Sequence, residues 1–134
     1  MIKISRLHAF GLLGLALAAP VHAAAPPDDF RSDFVGALAT CTYAYHALTL
    51  NRELGSADDD MRVAASSQER GAFEILLEWS RLTPGDAYLL IREAGREVER
   101  GGIDSRDELV DLASYCDEKL NDFLDTAKAR GYTP

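Results

Sequence analysis

Residues 28–54 read DDFRSDFVGALATCTYAYHALTLNREL, and the spacing of their apolar side chains decides the fold class. Phe30, Phe34, Leu38, Cys41, Tyr45 and Leu48 recur at steps of three or four, so they share one face of a helix with 3.6 residues per turn. Gly55 supplies a stop signal for this helix. A second line, Gly36, Thr40, Tyr43, Ala47 and Leu50, follows similar steps on roughly the opposite face. A helix that is apolar or small nearly all round is either central in its fold or pressed against another molecule.

Three more helical segments follow, separated by turn chemistry of specific kinds. The second begins after Asp58, whose carboxylate can cap, and directs Met61, Ala65, Ala72, Leu76 and Trp79 inward. Ser66, Ser67 and Gly71 weaken its middle and predict a kink or break, since a helical glycine costs about 1 kcal/mol relative to alanine. Thr83-Pro84-Gly85-Asp86 supplies an N-cap, a proline at the first helical position and an acid three residues on. The third helix puts Ala87, Leu90, Ile91, Ala94 and Val98 inward and ends at Gly101-Gly102. Ser105-Arg106-Asp107-Glu108 is a capping box for the fourth, which carries Leu109, Leu112, Cys116, Leu120, Phe123 and Ala127 on one stripe and ends at Gly131. Strand alternation, repeats and low-complexity tracts are absent. An all-α, antiparallel four-helix bundle is expected. Cys41 and Cys116 each fall near the middle of an apolar stripe, which predicts a disulfide between the first and last helices.

The first 23 residues read as a cleavable export signal. Lys3 and Arg6 precede an apolar run from Ala9 to Ala19, followed by Pro20 and the small-residue site Val21-His22-Ala23. Residues 24–134 then form a single helical domain. The apolar run is about 11 residues long where a spanning helix needs roughly 20, so a soluble periplasmic or secreted protein is expected. The whole chain carries a net charge of −8. Removing Lys3 and Arg6 leaves 12 basic against 22 acidic residues, a net charge of −10. That balance disfavours nucleic acid and anionic membrane surfaces, both of which need cationic partners, and favours a cationic protein.

Catalytic equipment is sparse. His46 is the one histidine after the signal, and its five-residue step from Cys41 rotates it about 140° around the helix, away from the thiol. It sits beside Thr42, Thr49 and Glu53, as a surface histidine does, and the haem-attachment motif Cys-x-x-Cys-His is absent. Asp58-Asp59-Asp60 lacks the alternating acids, glycine and distal glutamate of a calcium loop, and acids at a helix start already favour its dipole. Glu74 and Glu78 lie one turn apart, with Arg70 and Arg81 as helical neighbours for ion pairs. No enzyme, metal or cofactor role is expected from these groups.

Two surfaces stand out instead. Glu108, Asp111, Tyr115, Glu118, Asp122 and Asp125 form an acidic row with a central tyrosine, opposite the core stripe of the fourth helix. An aromatic ringed by acids suits a cationic partner, because tyrosine is favoured at interfaces and charge steers encounter. The second stripe of the first helix suits either self-association or the binding of another partner, with Tyr43 and Leu50 at the contact of a homodimer in the first case.

The layout resembles the small periplasmic immunity proteins that neutralise type VI secretion amidase effectors. The resemblance rests on the signal peptide, the all-helical mature domain, Cys41 in the first helix, the Trp79-Ser80-Arg81-Leu82-Thr83-Pro84 junction and Leu112-Ala113-Ser114-Tyr115-Cys116 in the last. It implies a non-enzymatic, often dimeric helical protein that blocks an effector's active site with a surface loop or helix. An exported immunity or inhibitor protein acting on a toxic hydrolase is therefore one expectation. A periplasmic stress or chaperone-like protein that binds unfolded clients through apolar surface is the other.

Overall fold

The computed structural model describes residues 23–51 and 53–134. The expected export signal, apart from Ala23, lies outside the described residues. Helix α1 spans Asp28–Leu50, α2 Asp59–Ser80, α3 Pro84–Arg100 and α4 Arg106–Arg130, with a 3-10 turn at Ser56–Asp58. Phe30 at the start of α1 meets Trp79 at the end of α2 (ring centroids 6.0 Å apart) and Phe123 near the end of α4 (5.5 Å). At the other pole the Asn51 side-chain Nδ2, just past α1, donates to the carbonyl of Asp104, just past α3, at 3.4 Å. The helices therefore run up, down, up and down in an antiparallel four-helix bundle. Beside them, Ala24 forms an isolated bridge with Tyr132, donating to the Gly131 carbonyl (2.9 Å) and accepting from the Thr133 amide (3.1 Å).

Helix α1 is the hub. It packs against α2, α4 and α3 in turn, whereas α2 and α3 touch each other far less. Phe34, Leu38, Cys41, Tyr45 and Leu48 are buried, and the Phe34 ring lies 4.9 Å from both Trp79 and Phe123. Burial of each such large side chain contributes about 1.5–3 kcal/mol. The opposite line of α1 meets α3. A Cβ on Gly95 would fall 2.4 Å from two ring carbons of Tyr43, so this helix position is glycine because another side chain occupies the space. The central place of α1 is why two of its faces read as apolar or small.

Cys41 and Cys116 form the disulfide that joins α1 to α4, with their Cα atoms 5.4 Å apart. The caps follow the sequence: Thr83 Oγ1 accepts from the Asp86 amide (3.2 Å) with Pro84 at the first helical position, and Ser105 and Glu108 exchange capping bonds. Gly131 closes α4 with φ of 66°, a left-handed conformation glycine adopts without a Cβ penalty.

Four expectations need correction. Helix α1 stops at Leu50 rather than Leu54, because the Asn51 side chain accepts from the Glu53 amide (2.8 Å) and offers the backbone a local alternative to helix. Leu54 folds back into the core. Helix α2 runs unbroken through Ser66, Ser67 and Gly71, since Ala65, Ala72, Leu76 and Trp79 pack it against α1 and packing outweighs local propensity. Asp58 does not cap α2. Its carboxylate accepts from the Gly55 amide (3.1 Å) to close the 3-10 turn, and from Arg106 at 2.8 Å, which joins the starts of α2 and α4. Nor do Glu74 and Glu78 pair with Arg70 or Arg81; both acids are exposed, and Arg81 instead donates to the Pro134 carbonyl (3.3 Å).

Candidate functional site

The acidic row lies on the outer face of α4, away from the buried side formed by Leu109, Ala113, Cys116, Leu120 and Ala127. Glu108, Asp111, Tyr115, Glu118, Asp122 and Asp125 are all exposed, Tyr115 by 57%. Glu108 is committed to the helix start: it accepts from the Ser105 hydroxyl (2.8 Å), the Ser105 amide (3.1 Å) and the Asp104 amide (3.3 Å). The Ser105 hydroxyl is the main reason its carboxyl is held below the usual range. Asp111, Tyr115, Glu118, Asp122 and Asp125 make no hydrogen bond or ion pair within the described chain.

The contrast with the other helices is chemical. Helix α3 pairs Arg96 with Glu93 (2.9 Å) and Arg100 with Glu97, and α2 pairs Arg62 with Asp59 (3.2 Å). On α4, Glu118 and Asp122 stand one turn apart with the same sign, an arrangement that destabilises an isolated helix by about 0.2–0.5 kcal/mol. A cationic surface laid on this face would relieve that repulsion.

Tyr43 and Leu50 fare differently from each other. The Tyr43 ring is half-buried over Gly95, and its hydroxyl donates to Glu99 at 2.8 Å. Burial, reinforced by Glu99, pushes the phenol up to about 12. Leu50 is 66% exposed and one turn beyond His46 on α1. His46 is exposed, with Nδ1 2.8 Å from a Glu69 carboxylate oxygen.

Sequence reasoning missed a partly buried link between α1 and α4. The Tyr45 hydroxyl, fully buried, donates to Asp117 at 2.6 Å, beside the Cys41–Cys116 bond. Burial raises the Asp117 carboxyl above its ordinary value, a shift that the Tyr45 hydrogen bond partly opposes. Burial raises the Tyr45 phenol as well. The sequence puts Tyr45 on the apolar stripe, and its one clue to the partner is that Asp117 follows Cys116.

Among the described residues, no three His, Cys, Asp or Glu side chains converge so as to hold a metal ion, and no helix is long and apolar enough to cross a membrane. Structurally the chain is a disulfide-tied helical bundle with one acidic, aromatic-centred face. No protein-family model, curated protein or solved structure matches it.

Proposed function

We propose that the mature chain is an exported inhibitor, of the immunity-protein kind, that binds a cationic toxic hydrolase through the outer face of α4. What carries it is the row itself: Asp111, Tyr115, Glu118 and Asp122 stand exposed along one line with no partner among the described residues. Charged groups there raise the rate of encounter with an oppositely charged protein, and an exposed tyrosine supplies the anchor that holds a complex once formed. The disulfide supports residence in an oxidising compartment, and the resemblance in layout to periplasmic immunity proteins points the same way. Because α4 rests on α1 and turns its other side outward, a partner reaches the row without disturbing the core.

A photocrosslinking residue at position 115 of the exported protein tests this in its native cell. The expected product is one dominant adduct with a basic hydrolase of the same compartment, lost when Glu118 and Asp122 are both changed to lysine. Adducts spread over many unrelated polypeptides would instead favour client binding of the chaperone type, and no adduct at all would remove α4 as the binding face.

A further inference from the structure

Helices α2 and α3 meet where Phe73 and Tyr88 stack, with ring centroids 4.9 Å apart, and have little other contact. Beyond that point α1 forms the floor of a cleft between them. One hollow of about 460 Å³, between α1 and α2, is bounded by Thr49, Arg62, Ser66 and Arg70; another of about 410 Å³, between α1 and α3, is bounded by Tyr43, Tyr88, Arg92, Arg96 and Glu99, whose carboxylate is bound to the Tyr43 hydroxyl. His46 lines the second and bonds Glu69, the neighbour of Arg70 in the first, so the two hollows adjoin. Each hollow has an exposed apolar or aromatic side chain in its lining, Val63 (71% exposed) in the first and Tyr88 (62%) in the second. Among the described residues Arg70 and Arg92 have no partner.

In a protein of net charge −8, a cleft that combines unpaired arginines with exposed aromatic and apolar groups is complementary to an acidic, aromatic-centred surface. The chain carries one such surface, the α4 row. It cannot fill its own cleft. Helix α4 is fixed to α1 through Cys41 and Tyr45, whereas Tyr43, on the cleft floor, lies about 200° around the helix from Tyr45.

We propose that the α2–α3 cleft docks the acidic face of α4 from a second copy of this chain, with Tyr115 entering beside Tyr88 and the carboxylates of Glu118 and Asp122 facing Arg70 and Arg92. The contact is head-to-tail, because different patches meet. It uses the row assigned above to the hydrolase, so capture of the hydrolase releases the second copy. The docking itself holds whether or not a hydrolase is the row's other partner.

Sedimentation velocity on the processed, oxidised protein separates the outcomes. The parent chain should associate with rising concentration. Arg70→Glu with Arg92→Glu spoils the cleft and spares the row; Glu118→Lys with Asp122→Lys does the reverse. All four positions are exposed, so both variants should melt near the parent, and each alone should be monomeric. Mixed, they should form a discrete one-to-one complex that does not grow, since only one good cleft and one good row remain. Adding Tyr115→Ala to the cleft variant, a change without charge, should weaken that complex by roughly tenfold or more, as loss of an aromatic anchor does. A monomeric parent at its highest soluble concentration, a mixture that stays monomeric, or a complex indifferent to Tyr115 would each overturn the proposal.

Discussion

Replacing Gly95 by alanine sets two effects of opposite sign against each other. At an open helix position the change stabilises by about 0.5–1 kcal/mol, because alanine loses less backbone entropy on folding. Position 95 is occupied: the new Cβ would stand 2.4 Å from Cδ2 and Cε2 of Tyr43 and 3.0 Å from Cγ. Carbon atoms in contact settle about 3.5–4.0 Å apart, so the ring must retreat by about 1 Å or more. The Tyr43 hydroxyl is bound to Glu99 at 2.8 Å, and retreat either separates α1 from α3 or breaks that bond. Overpacking of this kind costs about 1–3 kcal/mol, which exceeds the propensity gain. Gly95→Ala should therefore lose about 1–2 kcal/mol, roughly 4–8 °C in Tm for a domain of this length. Denaturant unfolding of the oxidised protein, followed by circular dichroism, measures it. In a Tyr43→Ala background the ring is gone, and the same alanine should gain about 0.5–1 kcal/mol. A gain in both backgrounds would refute the close approach of α1 and α3.

Changing Cys41 and Cys116 together to alanine opens a loop with a sequence separation of 75. The chain-entropy relation gives a loss of about 4.5 kcal/mol, hence a Tm lowered by roughly 15–20 °C; a melting point within a few degrees of the parent would contradict it. Tyr45→Phe removes the bond to Asp117, worth about 1.5–3 kcal/mol with an ionised acceptor. Burial raises Asp117 in the folded state, so its charge is penalised above the folded-state pKa and not below the unfolded one. The Tyr45→Phe loss should therefore be larger at pH 7 than at pH 3, and an equal or larger loss at pH 3 would refute an ionised acceptor. Ser105→Ala should cost about 1 kcal/mol as a lost cap. Since Ser105 holds Glu108 below the usual range, that contribution is present above ordinary carboxylate pKa values and fades as pH falls through the folded one. Unfolding curves at pH 7 and pH 3 compare the two.

The helices and caps were legible because their signals are local. Thr83-Pro84, Ser105 with Glu108, and Gly131 each act within a turn of their own position, and the disulfide followed from two cysteines on two apolar stripes. Which face of α1 each neighbour takes was not legible. Periodicity marked the Tyr43 line as apolar or small, but only the fold shows α3 covering it, through a glycine on α3. Asp58 was misread for the same reason: its partner Arg106 lies 48 residues away. The acidic row could be read directly, since solvent-facing charges at helical spacing need no knowledge of neighbours. The cleft could not, because its arginines come from two helices; the one trace in the sequence was Tyr88, Arg92 and Arg96 at steps of four.

A hydrolase captured at position 115, as the proposed function expects, would supply the most direct measurement. Its activity is titrated with processed parent chain and with the Glu118→Lys, Asp122→Lys variant. The parent should abolish activity near a one-to-one ratio, with an association rate that falls as salt is raised, because screening shortens the reach of the row's field. The reversed variant should associate at least about tenfold more slowly while melting like the parent. Equal inhibition by both proteins, or full activity in an excess of the parent, would contradict the assignment of the α4 face.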